Sequence, residues 1–366
     1  MKQSYRYKAV DAATLTVAVI LSTILLNFAA KLSVLDFEDA ATLGAETTTI
    51  FEDSIHCRDA RDIEACIASI NPDQKTFIWF GNSQLHAINQ YKVGEKNSTY
   101  FLAKLLPSNN IRTFSQPNGN LQEHLVLFEY LHSRVNVSKI ILPVVFDDMR
   151  EDGLRPEIAA LLQKTSLNNV FSQSEIGKHL ISNNKNLSSS ESDLVGLNGS
   201  IQEMVEESLN KFLIKNTVLW GARPQLRGEI YDGMYRLRNV IFNIKPTSKR
   251  KKIIGRYSLN LMALQQILQE AKEYKIQIVL YIAPIKSNNG ETPYIEKEYI
   301  DFKRDISELS KKYQAEYYDF DNLIPDKEWG LKDSTTDRKS PEIDFMHFKS
   351  IGHQRLAKSI ANIVKD

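Results

Sequence analysis

The chain has 366 residues, 42% of them hydrophobic and 25% charged, enough to bury a sizeable core as one large domain or one domain with a substantial insertion. Lysine and arginine total 46 against 45 aspartates and glutamates, for a formal net charge of +1. No global field therefore exists to attract a polyanion, and the composition argues against a nucleic-acid partner.

From the N-terminus, residues 12–30 (AATLTVAVILSTILLNFAA) carry no charge and approach the ~20 residues that a helix needs to cross a bilayer. Lys2, Arg6 and Lys8 precede this stretch, and positive charge on that side places the N-terminus inside and everything after Lys31 outside. The apolar run is longer than a signal-peptide core, so the expectation is an uncleaved anchor over residues 1–33. Residues 34–74 read as a stalk or packing segment. Within them Cys57 and Cys66, in HCRDARDIEAC, are the two cysteines of the chain. Outside the cytoplasm such a pair is expected to oxidise and clip a short loop, the alternative being two unpaired thiols on one helix.

From Lys75 short apolar runs recur at FIWF (77–80), IRTF (111–114), KIILPVVF (139–146), IQIVLYIAP (276–284) and AEYYDF (315–320). Helical patterns separate most of them, the signature of a parallel sheet covered on both faces. Ser258 is the expected cap of a helix burying Leu259, Met262, Ile267, Leu268 and Ala271. Residues 295–313 read as a charged helix, and KSIGHQRLAKSIANIV closes the chain as another. Between the third and fourth runs lies an interruption of roughly a hundred residues, far beyond an ordinary crossover. It predicts an inserted, mainly helical cap over 156–252 that divides the α/β domain into 75–155 and 253–366. The basic run Lys249, Arg250, Lys251 and Lys252 reads as a solvated loop before a helix, or as a contact for anionic lipid or glycan.

The first strand runs directly into Gly81, Asn82, Ser83 and Gln84, which holds a hydroxyl at the carboxyl edge of the sheet, where open α/β folds keep their chemistry. Alone, such a serine is an ordinary turn or cap residue. A nucleophilic serine needs a base, and the base needs a partner that fixes its tautomer. Asp344 and His347, three residues apart before the last helix, offer both.

GNSQ after a strand, with D-x-x-H before a C-terminal helix, resembles the SGNH or GDSL hydrolase superfamily, whose first and last motifs are GDS and DxxH. The resemblance covers about residues 75–150 and 253–366. It implies a three-layer, flavodoxin-like α/β fold, with Ser83 as nucleophile, His347 as general base and Asp344 as its orienting carboxylate. Two departures stand out. Position 82 is Asn where the motif has Asp, and the third strand ends VVFDDMRED, so Asp147 or Asp148 stands where the family's GxND has its oxyanion-binding Asn. A carboxylate there repels an oxyanion unless it is protonated or turned away. The second-motif glycine is matched by Gly119, in SQPNGNLQEH, with Asn118 and Asn120 as alternative amide donors; NG is equally a common turn dipeptide. FDDMRED has no matched histidines for a metal and suits a helix N-terminus. His86 and His124 could line the cleft or simply pack, and His353 is expected on the far side of its helix.

A serine triad needs no cofactor. An anchored, extracytoplasmic domain of this kind with a long insertion is similar in layout to bacterial envelope-modifying proteins, the D-alanyl-lipoteichoic-acid transfer protein and the alginate and peptidoglycan O-acetyltransferases. That similarity implies a single-pass protein of the bacterial cytoplasmic membrane, an O-acyltransferase or esterase acting on an envelope glycan or teichoic-type polymer. It also implies a polytopic membrane-bound O-acyltransferase as partner. The alternatives are a catalytically inactive binding or assembly subunit of such a complex, and a lipase or thioesterase with a capped apolar pocket.

Overall fold

The computed structural model describes residues 43–45, 55–57, 62–191, 248–287, 292–332 and 341–365. The proposed anchor at 12–30 and the part of the insertion from 192 to 247 lie outside them, and among the described residues no helix is long and apolar enough to cross a membrane. The chain divides into two compact units, Met1–Ala41 with Glu191–Ile244, and Thr42–Ser190 with Lys245–Asp366. The elements below belong to the second.

Six parallel strands form one sheet in the order β2 (Ile55–Cys57), β5 (Asn110–Ser115), β3 (Thr76–Gly81), β6 (Val137–Val144), β7 (Gln277–Ile282) and β8 (Glu316–Asp319). Every pairing between neighbours is parallel. Five of these strands are the five apolar runs. The sixth, β2, came from the segment read as a stalk. Its three residues carry no apolar run, and it is held at the sheet edge by pairing with β5 and by a disulfide from Cys57 to Cys66, whose Cα atoms are 6.0 Å apart.

The strands alternate faces, as a pleated strand must. Phe77, Trp79, Ile141, Val279 and Tyr281 pack on one side against α2 (Ser98–Leu105) and α9 (Ser350–Val364), with Leu102, Leu356 and Ile360 in the same cluster. Ile78, Phe80, Ile140, Leu142, Ile278 and Leu280 face the other way. There they meet α1 (Ile63–Ala68), α3 (Leu121–His132), α7 (Ile254–Glu273) and α8 (Glu296–Tyr313). Trp79 is fully buried, and its indole N–H is satisfied at 3.1 Å by the Tyr281 hydroxyl. Each fully buried apolar side chain of this kind contributes about 1.5–3 kcal/mol.

Helix α7 begins at Ile254, four residues before Ser258, so Ser258 lies inside the helix and does not cap it. The short helices α4 (Pro156–Leu161) and α5 (Thr165–Phe171) and the start of α6 (Glu175–Glu191) fall in the sequence-defined insertion. Yet Ile158, Leu162, Leu167, Phe171 and Leu180 are buried in the same core as the sheet, so these residues are packed into the α/β unit.

Two small antiparallel pairs complete the fold: β1 (Leu43–Ala45) with β4 (Ala87–Asn89), and β9 (Trp329–Lys332) with β10 (Glu342–Phe348). In the β9–β10 pair Ile343 faces Leu331 and Phe348 faces Trp329, so the four residues Asp344–His347 oppose the single Gly330. The DxxH segment is thus a wide bulge in a strand, where the sequence suggested a simple turn.

Along the chain, β3 connects to β5 on one side, and β5 then passes back over β3 to β6 on the other. That reversal places the topological switch point, where open α/β sheets form their crevice, at the carboxyl end of β3.

Candidate active site

Strand β3 ends at Gly81, where backbones crowd. A Cβ there would stand 2.3 Å from Leu85 Cδ1, so only glycine fits without displacing that side chain. Asn82 is extended, and its side-chain oxygen accepts the Gln84 N–H at 2.9 Å, which starts a one-turn helix at Ser83–Leu85. Asn82 and Gln84 are buried while Ser83 is partly exposed. The sequence thus folds into a device that presents one hydroxyl from a rigid edge.

The Ser83 hydroxyl lies 3.0 Å from His347 Nε2. On the other side of the ring, His347 Nδ1 is 3.0 Å from Asp344 Oδ2. Asp344 Oδ1 accepts the backbone N–H groups of Met346 (2.9 Å) and His347 (3.0 Å), which turns the bulge back on itself and aims Oδ2 at the imidazole. A carboxylate accepts only, so Nδ1 carries the proton and Nε2 is free to receive one from Ser83. Burial pushes the Asp344 carboxyl up, but the hydrogen bonds from His347 and from the two backbone amides outweigh it and hold the group below its ordinary value.

Two residues that the sequence reading did not single out support this arrangement. Gln84 donates to the carbonyls of Pro284 (2.8 Å) and Met346 (2.9 Å), tying the serine turn to the end of β7 and to the histidine bulge. Asn89, in β4, donates to Asp344 Oδ2 at 3.0 Å. Gln84 at least belongs to the GNSQ string; Asn89 has no local signal, because it reaches Asp344 across 255 residues of sequence.

The two aspartates after β6 separate. Asp148 is buried, and both its oxygens accept from Asn82 Nδ2, at 2.9 and 2.8 Å. Burial pushes Asp148 well above the usual carboxylate range; Asn82 draws it partly back, and Asp147, Glu151 and Glu123 push it further up. Asp147 is drawn elsewhere, pairing with Arg150 at 3.0 Å and with Arg250, and accepting the Tyr294 hydroxyl at 3.2 Å.

Most of the basic run is similarly engaged. Besides Arg250, Lys249 donates to the Thr292 carbonyl at 2.6 Å and Lys252 stands 3.7 Å from the centre of the Tyr257 ring.

The oxyanion candidates are placed differently from the triad residues. Gly119 lies close to Gly81, whose carbonyl oxygen would be 3.4 Å from an added Cβ, but it donates its own N–H to the Gln116 carbonyl at 2.9 Å. Its amide closes a turn, one of the two roles that the NG dipeptide offers. Asn118 is exposed with left-handed backbone (φ 54). Asn120 caps α3, and its amide donates to Gly153. Arg155 clamps this loop from outside, through Glu123 at 2.7 Å, Gln116 at 3.2 Å and the Pro117 carbonyl at 3.1 Å.

Four other histidines make packing and hydrogen-bond contacts within the fold. His86 Nδ1 and His56 Nε2 both meet the buried Ser115 hydroxyl, at 2.7 and 2.6 Å. His124 stacks on Phe80, donates to the Gly81 carbonyl at 3.3 Å, and is pushed down to about 4 by burial. His353, expected on the far side of its helix, is fully buried, bonded to Ser98 and to Ala87. No cluster of three metal-ligating side chains occurs among the described residues.

No protein-family model and no curated protein matches the sequence. Solved structures similar to the chain include a GDSL-like lipase from Bacteroides thetaiotaomicron, with 7% identity, 84% of this chain and 98% of that one covered, and a TM-score of 0.38. An aryl esterase from M. smegmatis shares 10% identity over 79% of this chain and 98% of its own, with a TM-score of 0.36. An acetyl-xylooligosaccharide esterase from Geobacillus stearmophilus shares 11% over 80% and 95%, with a TM-score of 0.34.

Proposed function

We propose that the chain is a serine-dependent O-acyltransferase or esterase of SGNH type. The observation that carries this reading is the unbroken hydrogen-bonded line from the Ser83 hydroxyl through His347 to Asp344, at the topological switch point of the sheet. In this reading Ser83 Oγ attacks an acyl carbonyl carbon while its proton passes to His347 Nε2, and the imidazolium is stabilised by Asp344. Collapse of the tetrahedral adduct breaks the bond to the leaving alkoxide, which takes the proton from His347. The acyl-serine is then opened by water or by an acceptor hydroxyl, whose proton returns through His347 as Ser83 Oγ leaves. The Ser83 N–H opens the 83–85 turn, where no earlier carbonyl of the turn can accept it, and serves the oxyanion. Asp148 turns toward Asn82 and is held toward its neutral form, which removes the repulsion that a carboxylate near this edge would otherwise exert.

The uncharged stretch at 12–30 behind three basic residues supports an anchored protein working outside the cytoplasmic membrane. Its substrate is then an exported glycan or teichoic-type polymer, and its acyl source a polytopic membrane-bound O-acyltransferase. The test uses the full chain in detergent with p-nitrophenyl acetate, and with an added hydroxylated polymer as acceptor. Turnover that disappears in Ser83→Ala and His347→Ala supports the reading, and acetate appearing on the polymer assigns transfer over hydrolysis. No turnover by folded wild-type protein rejects it.

One observation favours a second reading, a subunit that binds acylated chains without turning them over: the Gly119 N–H is spent on Gln116. That reading requires retained polymer binding in the Ser83→Ala variant and no ester turnover in the wild type.

A further inference from the structure

We infer that Asn89 is a positioning residue for the triad, a fourth member whose task is to hold the Asp344 carboxylate against His347; this rests on the serine-nucleophile reading above. Three observations converge. The Asn89 side chain donates to Asp344 Oδ2 at 3.0 Å, the same oxygen that takes the His347 Nδ1 proton at 3.0 Å. Asn89 is fully buried, and its side-chain Oδ1 has no hydrogen-bond partner among the described residues. Burying an amide with an orphaned acceptor is unfavourable, so an apolar side chain would suit the fold better at this position, and among the described residues the Asn89 side chain makes its one hydrogen bond to the triad. Third, the residue opposite the Asp344–His347 bulge is Gly330, where an added Cβ would stand 1.7 Å from Asn89 Oδ1 and 2.3 Å from Asn89 Cγ. The strand facing the bulge is thus pared to glycine where Asn89 needs the space. The amide orientation is fixed by chemistry as well as by space, because the flipped amide would set an oxygen against the Asp344 oxygen.

With Asn89 in place, Asp344 receives two backbone donors on Oδ1 and two side-chain donors on Oδ2. All four directions of the carboxylate are used, and it cannot rotate away from the imidazole. The role is indirect: Asn89 acts through Asp344 and then His347, and reaches Ser83 only through them.

The test compares wild type, Asn89→Leu and Gly330→Ala. Leucine removes the donor at nearly constant shape; alanine at 330 displaces the amide without altering it. The readouts are the proton NMR signal of the His347 Nδ1–H, assigned by its disappearance in His347→Ala, the rate of fluorophosphonate labelling, and kcat and KM for p-nitrophenyl acetate. The expected result in both variants is a His347 signal that is lost to exchange or shifted, with labelling and kcat down about 10- to 100-fold, the range that hydrogen-bonded outer partners carry. KM stays within about twofold, because substrate binding is untouched. Asn89→Leu is also expected to melt no lower than wild type, which a structural role for the amide would not allow. If wild type is never labelled but its His347 signal moves in both variants, the positioning inference holds and the catalytic reading fails. An unchanged His347 signal in both variants overturns the inference whatever the rates do, as does the absence of a hydrogen-bonded signal in the wild type.

Discussion

His353 offers a prediction whose size follows from the structure. Its Nδ1 accepts from the Ser98 N–H at 3.2 Å and the Ser98 hydroxyl at 2.8 Å, and its Nε2–H donates to the Ala87 carbonyl at 3.2 Å. A second ring proton on Nδ1 would collide with a donor already aimed there. Burial pushes the imidazole down to about 3; the Ala87 carbonyl pulls it up and the charge of His347 pushes it down. The folded protein therefore keeps His353 neutral while the unfolded chain, with an ordinary value of about 6.5, takes up a proton. In this window the unfolded state binds more protons, so stability falls with pH below about 6.5 and goes on falling until the folded value is reached. The loss relative to pH 8 is about 0.8 kcal/mol at pH 6 and about 2 kcal/mol at pH 5 from this one side chain. The perturbation is His353→Gln, which does not titrate, and the assay is urea unfolding of both proteins at pH 8, 6 and 5. Glutamine costs stability at every pH, so the quantity to compare is the change between pH 8 and pH 5. That change is expected to be about 2 kcal/mol smaller in the variant. Equal pH dependence in the two proteins would refute the claim that His353 is held neutral by its partners.

Other predictions concern the edge of the sheet and the buried carboxylate. Opening the Cys57–Cys66 bridge, at a sequence separation of 9, by replacing both with serine should lower stability by about 2.6 kcal/mol on the chain-entropy estimate, read by thermal melting under oxidising conditions. A melt identical to wild type would mean that the bridge does not form in solution. Asp148 titrates above its unfolded value of about 3.9, so the folded state holds the extra proton and wild-type stability falls as pH rises through that window. Asp148→Asn removes this slope. Its stability relative to wild type should therefore climb from about pH 4 upward, and a constant difference would show that Asp148 ionises normally.

The sheet was legible because its central strands β3, β6 and β7 are buried along nearly their whole length and so appear as apolar runs, while β5 and the edge strand β8 still carry aromatic and β-branched residues. Strand β2 was not legible: Ile55–Cys57 is three residues long, with a histidine in the middle, and is a strand only because β5 offers it an edge. Ser83, Asp344 and His347 could be picked out together since nucleophile, base and orienting acid are a small set of residue types, and the last two sit close in sequence. Their supports could not. Asn89 and Gln84 reach partners 255, 200 and 262 positions away, and neither residue type nor spacing announces such contacts. The full burial of His353 was not legible for the same reason: Ser98 and Ala87, which satisfy its two ring nitrogens, lie 255 and 266 positions away. Asp147 and Asp148 are adjacent and identical in type, so only the fold decides that one meets Arg250 and the other Asn82.

The central claim is that Ser83 is a nucleophile activated by His347. It is tested most directly by intact-mass and peptide analysis of the full chain after reaction with a fluorophosphonate, beside Ser83→Ala and His347→Ala. A single adduct on Ser83, absent from Ser83→Ala and formed far more slowly by His347→Ala, is the result this account predicts. Folded wild-type protein that stays unmodified, or that carries the adduct on another residue, would contradict it.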